Sequence, residues 1–207
     1  MTATGQRSDK RRDLLDGALA VFARDGYSRA GIDAIAAAAG VSTRTIYNRF
    51  GDKAGLFRAV IVDSAERVAE AQVAVLQRQL GKIVDIEADL IEFGRIWNTI
   101  RPEFADHFAL VRQINAEVGH VPAAALNAWQ QAGPLRVRKE LARHLQNIAD
   151  QGHLRFEDSD LAAAHLIALV SGDITNRTFH GARPLPKKEM LRISDAGVRA
   201  FLNGYGR

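Results

Sequence analysis

The chain has 207 residues, of which 47% are hydrophobic and 25% are charged, and its formal net charge is +4. These proportions are those of a water-soluble globular protein with a sizeable core, and no apolar run approaches the roughly 20 residues that span a bilayer. The lack of cysteine excludes disulfides and thiolate metal sites. Because the basic N-terminus has no apolar stretch typical of a secretory signal, we expect an intracellular, cytoplasmic protein.

Periodic apolar residues predict helices along the whole chain, and no strand pattern is evident. In chain order the predicted helices cover residues 12–24, 32–39, 42–50, 53–80, 86–101, 103–118, 123–150, 159–180 and 187–203. Turn signals separate them, including Asp25-Gly26, Gly40 and Arg101-Pro102, and we expect a kink at Gly133-Pro134. Ser8 and Asp9 are possible caps of the first helix. The fold class is therefore all-α, with about nine helices.

The positive charge is concentrated at the start of the chain. Residues 1–60 contain ten Lys or Arg and six Asp, whereas residues 61–207 contain eighteen charges of each sign. A local basic excess is an electrostatic footprint for a polyanion such as nucleic acid. Charge asymmetry alone is a weak signal, so the argument needs a motif.

A helix-turn-helix pattern lies within this basic region. Gly40 can take the left-handed conformation of a sharp turn, Ser42 can cap the third helix, and the alanine-rich segment 32–39 lets two helices cross closely. Ile46 and Phe50 lie four residues apart and face the core together. In such a motif the second helix enters the major groove of DNA.

The outward face of the third helix carries side chains suited to DNA. Arg44 can pair with guanine and Asn48 with adenine, each contributing about 1–3 kcal/mol of discrimination. Hydroxyl and cationic groups, with the free N–H groups that begin the fourth helix, suit phosphate oxygens; these predicted contacts are Thr43, Thr45, Tyr47, Arg49 and Lys53. A polar face with two arginines is also typical of a solvated helix, and only the combination with the glycine turn and the basic excess favours DNA.

Residues 12–57 resemble the DNA-binding signature of the tetracycline-repressor-type (TetR) regulators, most clearly in FARDGYSRAGIDAIAAAAGVSTRTIYNRFGDKAGLF. Under this resemblance Gly26-Tyr27 opens the turn before the second helix, Tyr47 and Phe50 are the hallmark aromatics of the third, and Lys53 with Leu56-Phe57 begins the fourth. The resemblance implies a repressor that binds DNA as a dimer and is released by a small ligand.

Two departures from the family pattern leave the operator sequence open. Ala30-Gly31 stands where members usually carry hydroxyl residues, and Arg44 stands where a small residue is common. The basic tail with Arg7, Lys10, Arg11 and Arg12 either touches DNA or is a flexible, solvated segment.

We divide the chain into a three-helix helix-turn-helix DNA-binding domain, residues 1–52 with a flexible tail at 1–9, and a larger helical effector-binding and dimerisation domain, residues 53–207. The last two predicted helices are apolar over so much of their circumference that they favour a two-fold dimer through a four-helix bundle, although internal core helices give the same pattern. Dimer half-sites about 34 Å apart imply a palindromic operator. The expected dimerisation residues are Leu166, Leu169, Val170, Val198, Phe201 and Leu202.

An effector pocket is expected among the fifth to seventh predicted helices, where aromatic walls meet a few polar groups. A ligand bound there would favour a form whose recognition helices are wrongly spaced for DNA. The same side chains could be ordinary core and surface residues, and the chemical class of the small-molecule effector stays open. The candidates are Trp97, Phe104, His107, Phe108, Arg112 and Trp129.

Enzyme signatures are absent from the sequence. The six histidines include no helical pair at i,i+3 or i,i+4, and nucleophile-elbow and phosphate-loop motifs are missing. We therefore expect no metal, no cofactor and no catalysis. The main hypothesis is a sequence-specific, ligand-responsive transcriptional repressor. The alternatives are a DNA-binding architectural or scaffolding protein without an effector, and an all-helical enzyme with an incidental helix-turn-helix.

Overall fold

The structure, a computed structural model, describes residues 3–99 and 101–206, with side chains from Lys10 onward. These ranges contain ten α-helices, one 3-10 turn at Pro102–Phe104 and an isolated bridge between Leu154 and Gly206. The all-α prediction is confirmed. The helices are α1 Ala3–Arg29, α2 Ile32–Ala38, α3 Thr43–Phe50, α4 Lys53–Leu80, α5 Ile86–Trp97, α6 Ala105–Ala116, α7 Ala123–Ala132, α8 Pro134–Asp150, α9 Ser159–Arg177 and α10 Lys187–Tyr205.

The first helix is longer than the sequence predicts, and it contains a break. Gly26 has φ 78° and ψ 175°, so the regular helix stops there before a short continuation to Arg29. A positive φ is accessible to glycine without a steric penalty, which explains why the predicted stop signal is effective. The predicted caps Ser8 and Asp9 and the side chain of Arg7 lie outside the described side chains.

Helix α5 ends at Trp97, short of the predicted end at residue 101. The side chain of Asn98 terminates it, because its amide nitrogen Nδ2 donates to the carbonyl of Gly94 at 2.8 Å and to that of Val170 at 3.0 Å. The backbone amide of Asn98 donates to the same Gly94 carbonyl at 3.2 Å, so the main chain and the side chain of Asn98 both bind the end of the helix. A side-chain cap therefore ends α5 ahead of the proline, and this corrects the predicted boundary.

The predicted kinked helix over residues 123–150 is two helices. Gly133 lies between α7 and α8 with φ −114° and ψ −93°, which is not helical geometry. Pro134 follows it and has no N–H group to continue the hydrogen-bond ladder. The helix is fully interrupted at this point, so the described residues form ten α-helices where about nine were expected.

Two compact units make up the chain. The first contains residues 1–68 and 102–133, and the second contains residues 69–101 and 134–207. In the first unit, α1 to α3, the beginning of α4, and α6 and α7 share one apolar core. Phe22 and Phe57 meet edge to face in this core with ring centroids 4.9 Å apart. The helix-turn-helix thus shares a core with helices far away in the sequence.

The second unit is built around the crossing of α9 and α10. Gly197 lies against the backbone of Leu169, where an added β-carbon would overlap the Leu169 carbonyl oxygen. A glycine at this point lets the two helices approach closely. Phe93 of α5 and several side chains of α8 complete the core.

Four of the six predicted dimerisation residues lie inside this core. Leu166, Val170, Val198 and Phe201 are each 0% exposed in the single chain. They are fully covered by their own unit, so the prediction that they contact a second copy is corrected. Leu169 is 39% exposed and Leu202 is half-buried, so both can still contact a partner.

In the described part of the chain, no helix is long and apolar enough to cross a membrane.

Candidate nucleic-acid interface

Helices α2 and α3 are anchored to the first unit through a few apolar side chains. Ile35 and Ile46 are 0% exposed and Ala36 is almost completely buried. The turn between the helices is closed by a hydrogen bond from the amide of Val41 to the carbonyl of Ala36, at 3.0 Å. Gly40 adopts φ 63°, the left-handed conformation predicted for it. On α3, Ile46 is buried and Phe50 packs against the same core, so the opposite face of the helix is directed outward.

The outer face of α3 carries the side chains that the sequence predicts for DNA contact. Tyr47 is 49% exposed, and Arg44, Asn48 and Arg49 are also exposed. Two guanidinium groups, an amide and a phenol therefore share a convex surface on a short helix. This arrangement can reach base edges and phosphates in a groove.

The first turn of α3 is held by its cap. The Ser42 hydroxyl accepts a hydrogen bond from the backbone amide of Thr45 at 3.2 Å, and it also lies 2.9 Å from the Thr45 hydroxyl. The predicted cap at Ser42 is confirmed. Thr43 and Thr45 are half-buried. The Thr45 hydroxyl has a single donor, so it can bind a phosphate oxygen when the Ser42 hydroxyl is the donor of the bond between them.

The start of α4 differs from the prediction in one respect. The Asp52 carboxylate accepts a hydrogen bond from the amide of Gly55 at 2.7 Å. This amide is capped within the protein, so it is not a free N–H group for a phosphate, and the expectation is corrected for Gly55.

Lys53 has two partners inside the protein. Its ammonium nitrogen donates to the carbonyl of Ser28 at 3.1 Å and lies 5.1 Å from the centre of the Tyr27 ring. Partial burial lowers the pKa of Lys53, and the nearby charge of Glu117 opposes this effect. An ammonium group has three donors, so the bond to Ser28 leaves Lys53 able to bind a phosphate as well.

A carboxylate from α6 reaches the break in α1. Glu117 accepts a hydrogen bond from the backbone amide of Ser28 at 2.9 Å, and its other oxygen lies 3.9 Å from Arg29. The bond from Ser28 is the leading cause that lowers the pKa of Glu117. Sequence analysis missed this residue, since nothing in the local pattern around Glu117 indicates a partner 89 positions away.

An ionic network ties α1 to α4 in the same unit. Arg67 pairs with Asp63 at 3.1 Å and with Asp16 at 3.0 Å, and Arg12 lies 3.6 Å from Asp63. Arg12 was predicted as part of a tail that either binds DNA or is solvated. It lies in α1 with an acidic neighbour on α4 and a side chain that is 49% exposed, so a contact of Arg12 with DNA stays a prediction.

The predicted effector residues fall in both units. Trp97 belongs to the second unit, where its ring lies 5.5 Å from that of Phe93. Phe104 and Arg112 are half-buried in the first unit, and Phe108 there is 39% exposed. The role of each of these residues in binding an effector stays a prediction.

His107 of α6 is buried and hydrogen-bonded. Its ring nitrogen Nδ1 lies 2.8 Å from the Ser64 hydroxyl on α4. Burial, followed by the positive charge of Arg67, lowers its pKa from 6.5 to about 4. His107 is therefore neutral near pH 7, and the hydrogen bond links α6 to α4.

Trp129 carries a polar group without a protein partner. Its ring packs against the core of the first unit, and its indole nitrogen is buried with no acceptor among the described residues. A buried donor without an acceptor costs about 1–3 kcal/mol. A ligand or water oxygen next to this nitrogen would remove that cost.

An open groove of about 590 Å³ lies between α4 and α7 in the first unit. Small and apolar side chains line most of it, with the polar groups of Arg58 and Gln131 beside Val62. None of the six predicted effector residues lines this groove. Among the described residues, no cluster of three or more His, Cys, Asp or Glu side chains is arranged to hold a metal ion.

These features define a class of protein: an all-α chain whose helix-turn-helix presents a basic, polar recognition helix. Comparisons with known proteins agree with this class. A family model described as "Bacterial regulatory proteins, tetR family" matches residues 14–60. A second, described as "AefR-like transcriptional repressor, C-terminal domain", matches residues 99–207, which is more than half of the chain. The chain belongs to the TetR family of bacterial transcriptional regulators.

Individual relatives match along nearly the full chain. The HTH-type transcriptional repressor AcnR of Corynebacterium efficiens is 29% identical over 201 residues, which is 95% of this chain and 97% of AcnR. The crystal structure of a TetR-family regulator from Mesorhizobium loti is 28% identical, with a TM-score of 0.85 and coverage of 100% of both chains. The flavonoid-responsive regulator FrrA is also 28% identical, with a TM-score of 0.69 and coverage of 96% and 98%. The predicted function as a DNA-binding transcriptional regulator, and not an enzyme, is confirmed.

Proposed function

We propose that this regulator binds a palindromic operator through the outer face of α3, as a dimer, and that a small-molecule effector releases it. The observation that carries the proposal is the exposure of Arg44, Tyr47 and Asn48 on a helix anchored through the fully buried Ile46. An anchored helix holds its outward side chains in fixed positions, as base recognition requires.

Different side chains of α3 have different roles in this proposal. Arg44 lies near the N-terminus of the helix, the part that contacts base edges in helix-turn-helix proteins, and it pairs with guanine. Asn48, one helical turn further, pairs with adenine. Thr43, Thr45, Tyr47, Arg49 and Lys53 hold phosphate oxygens and so set the register without reading sequence.

The test begins with selection of bound duplexes from a random DNA pool. Arg44→Ala should relax the preference at one base pair in each half-site, whereas Tyr47→Ala should weaken binding nearly uniformly across sequences. Arg78 is exposed on α4 and belongs to the second unit, not to the helix-turn-helix, so Arg78→Ala is the matched control. An Arg44→Ala protein that selects the same sequence as the wild type would refute the assignment of Arg44. Failure to enrich any duplex at low salt would refute the proposal as a whole.

The dimer interface that we propose uses the exposed apolar side chains of α9 and α10. Leu161 is 50% exposed and Leu169 is 39% exposed on α9, and Leu202 of α10 is half-buried. Removing such side chains from water stabilises association by about 25 cal/mol per Å² of buried apolar surface. Light scattering at micromolar concentration should give twice the mass of one chain, and a monomer would contradict the proposal.

For the effector we propose a site within the first unit in which Trp129 and His107 take part, with Phe104, Phe108 and Arg112 as the further candidates. The support is the indole nitrogen of Trp129, a buried donor without a protein acceptor. The similar regulator FrrA is named as flavonoid-responsive, so a flavonoid is the first probe. It should quench Trp129 fluorescence and release the selected duplex. An architectural protein would retain the duplex with every compound of a broader panel.

A further inference from the structure

We propose that Glu117 is a positioning residue for DNA recognition: its carboxylate holds the turn at residues 26–29 and thereby fixes the place from which α2 and α3 project. The inference rests on the proposed function, because it assigns a role in DNA binding. It concerns contacts within the first unit only.

The helix-turn-helix segment begins and ends at neighbouring points of the first unit. The segment leaves α1 after Ser28 and returns to α4 at Lys53. The Lys53 ammonium donates to the Ser28 carbonyl at 3.1 Å, so both ends of segment 29–52 are tied at one point. The same residue, Ser28, donates its amide to Glu117 at 2.9 Å. A continuous polar chain from Glu117 through Ser28 to Lys53 therefore closes the base of the segment.

The second step is the fit between the carboxylate and the turn. Gly26 has φ 78°, and a β-carbon at this position would overlap the Glu117 carboxylate oxygen Oε1. The Glu117 side chain is only 12% exposed, whereas that of Arg29 beside it is 69% exposed. Gln113, one turn earlier on α6, adds a hydrogen bond to the carbonyl of Arg24 at 3.3 Å. The turn therefore packs closely against Glu117. Gln113 binds the backbone before Gly26, and Glu117 binds the backbone after it.

The third step is electrostatic. The carboxylate faces the cations Arg29 and Lys53 and accepts from a backbone amide, so its charged form is the stabilised one. A hydrogen bond to an ionised group is stronger than a neutral one. Loss of the carboxylate would leave the Ser28 amide without this acceptor and would loosen both ends of the segment. The core contacts of Ile35 and Ile46 would remain, because they are made elsewhere in the unit.

The test compares Glu117→Ala with the conservative Glu117→Gln. Glu103 is an exposed glutamate on the same sequence segment of the unit, so Glu103→Ala is the matched control. The probe is the palindromic duplex recovered by selection, measured by fluorescence anisotropy over a range of salt concentrations. Glu117→Ala should bind about tenfold more weakly. Its salt dependence should be unchanged, since no phosphate contact is removed. Glu117→Gln keeps an acceptor for Ser28 but lacks the charge, so it should recover part of the affinity.

Hydrogen exchange separates a positioning role from general destabilisation. In the DNA-free protein, Glu117→Ala should speed exchange at residues 26–30 and at the start of α4, while the amides of α1 before Gly26 keep their protection. Wild-type affinity in Glu117→Ala, or loss of protection throughout the first unit, would overturn the inference. If no variant binds any duplex, the proposed function fails. The exchange pattern then still reports whether Glu117 holds the turn at residues 26–29.

Discussion

Lowering the pH should weaken the first unit through His107. This side chain is 7% exposed, and burial together with Arg67 lowers its pKa from 6.5 to about 4. Between these values the unfolded chain binds a proton that the folded protein does not. The stabilising contribution is therefore fully present above pH 6.5, falls as the pH drops toward 4, and changes no further below it. The total is roughly 3 kcal/mol, of which roughly 2 kcal/mol is lost between pH 7 and pH 5.

The assay is urea unfolding at these two pH values, followed by tryptophan fluorescence. The chain has 2 tryptophans. A Trp97→Phe background leaves Trp129 as the tryptophan that reports unfolding, and Trp129 packs against the core of the first unit. His107→Gln in this background is neutral at both pH values and keeps a hydrogen-bonding group for Ser64.

The difference between the two proteins isolates His107 from His144, which lies in the second unit and whose pKa is also lowered by burial. We expect the pH-dependent loss to be smaller by roughly 2 kcal/mol in His107→Gln. An equal loss in both proteins would refute the reasoning. A His107 resonance that titrates near pH 6.5 would refute it directly.

Three further variants test the core and the proposed interface. Leu169→Asp should convert a dimer to a folded monomer in light scattering, whereas Leu166→Asp should unfold the second unit because Leu166 is fully buried; a Leu169→Asp dimer would contradict the interface. Gly197→Ala should lower the free energy of unfolding by about 1–3 kcal/mol, since its methyl group would overlap the Leu169 carbonyl. Gly204→Ala, with open space around it, is the control and should be neutral or stabilising in denaturant titrations. Ile46→Ala should cost about 2–5 kcal/mol in the first unit and weaken DNA binding as well; unchanged thermal unfolding would count against the anchoring role of Ile46.

The helix-turn-helix was predictable because its signals are local. A glycine at residue 40 that must take positive φ, a serine two positions later that caps α3, and an apolar pair at Ile46 and Phe50 all lie within one short stretch. Each of these features depends on neighbours a few residues away. Sequence pattern is informative at this range.

The dimerisation residues were harder to predict for a physical reason. Periodicity shows that α9 and α10 are apolar over most of their circumference, but it does not show which face their own unit covers. Leu166 and Leu169 look equivalent in sequence, and only the packing of the whole second unit buries the first and leaves the second 39% exposed. The contacts of Glu117 were inaccessible for a related reason, since they depend on the meeting of segments far apart in the chain.

The junction of Ser28 with Lys53 makes the DNA-reading segment modular. Residues 29–52 leave and rejoin the rest of the protein at neighbouring points, so their replacement need not redirect the chain before or after them. We predict that transplanting this segment from another member of the family, with the buried Ile35, Ala36 and Ile46 retained, transfers the operator preference of the donor. The same protein could then be directed to a new operator by the exchange of one short, continuous segment.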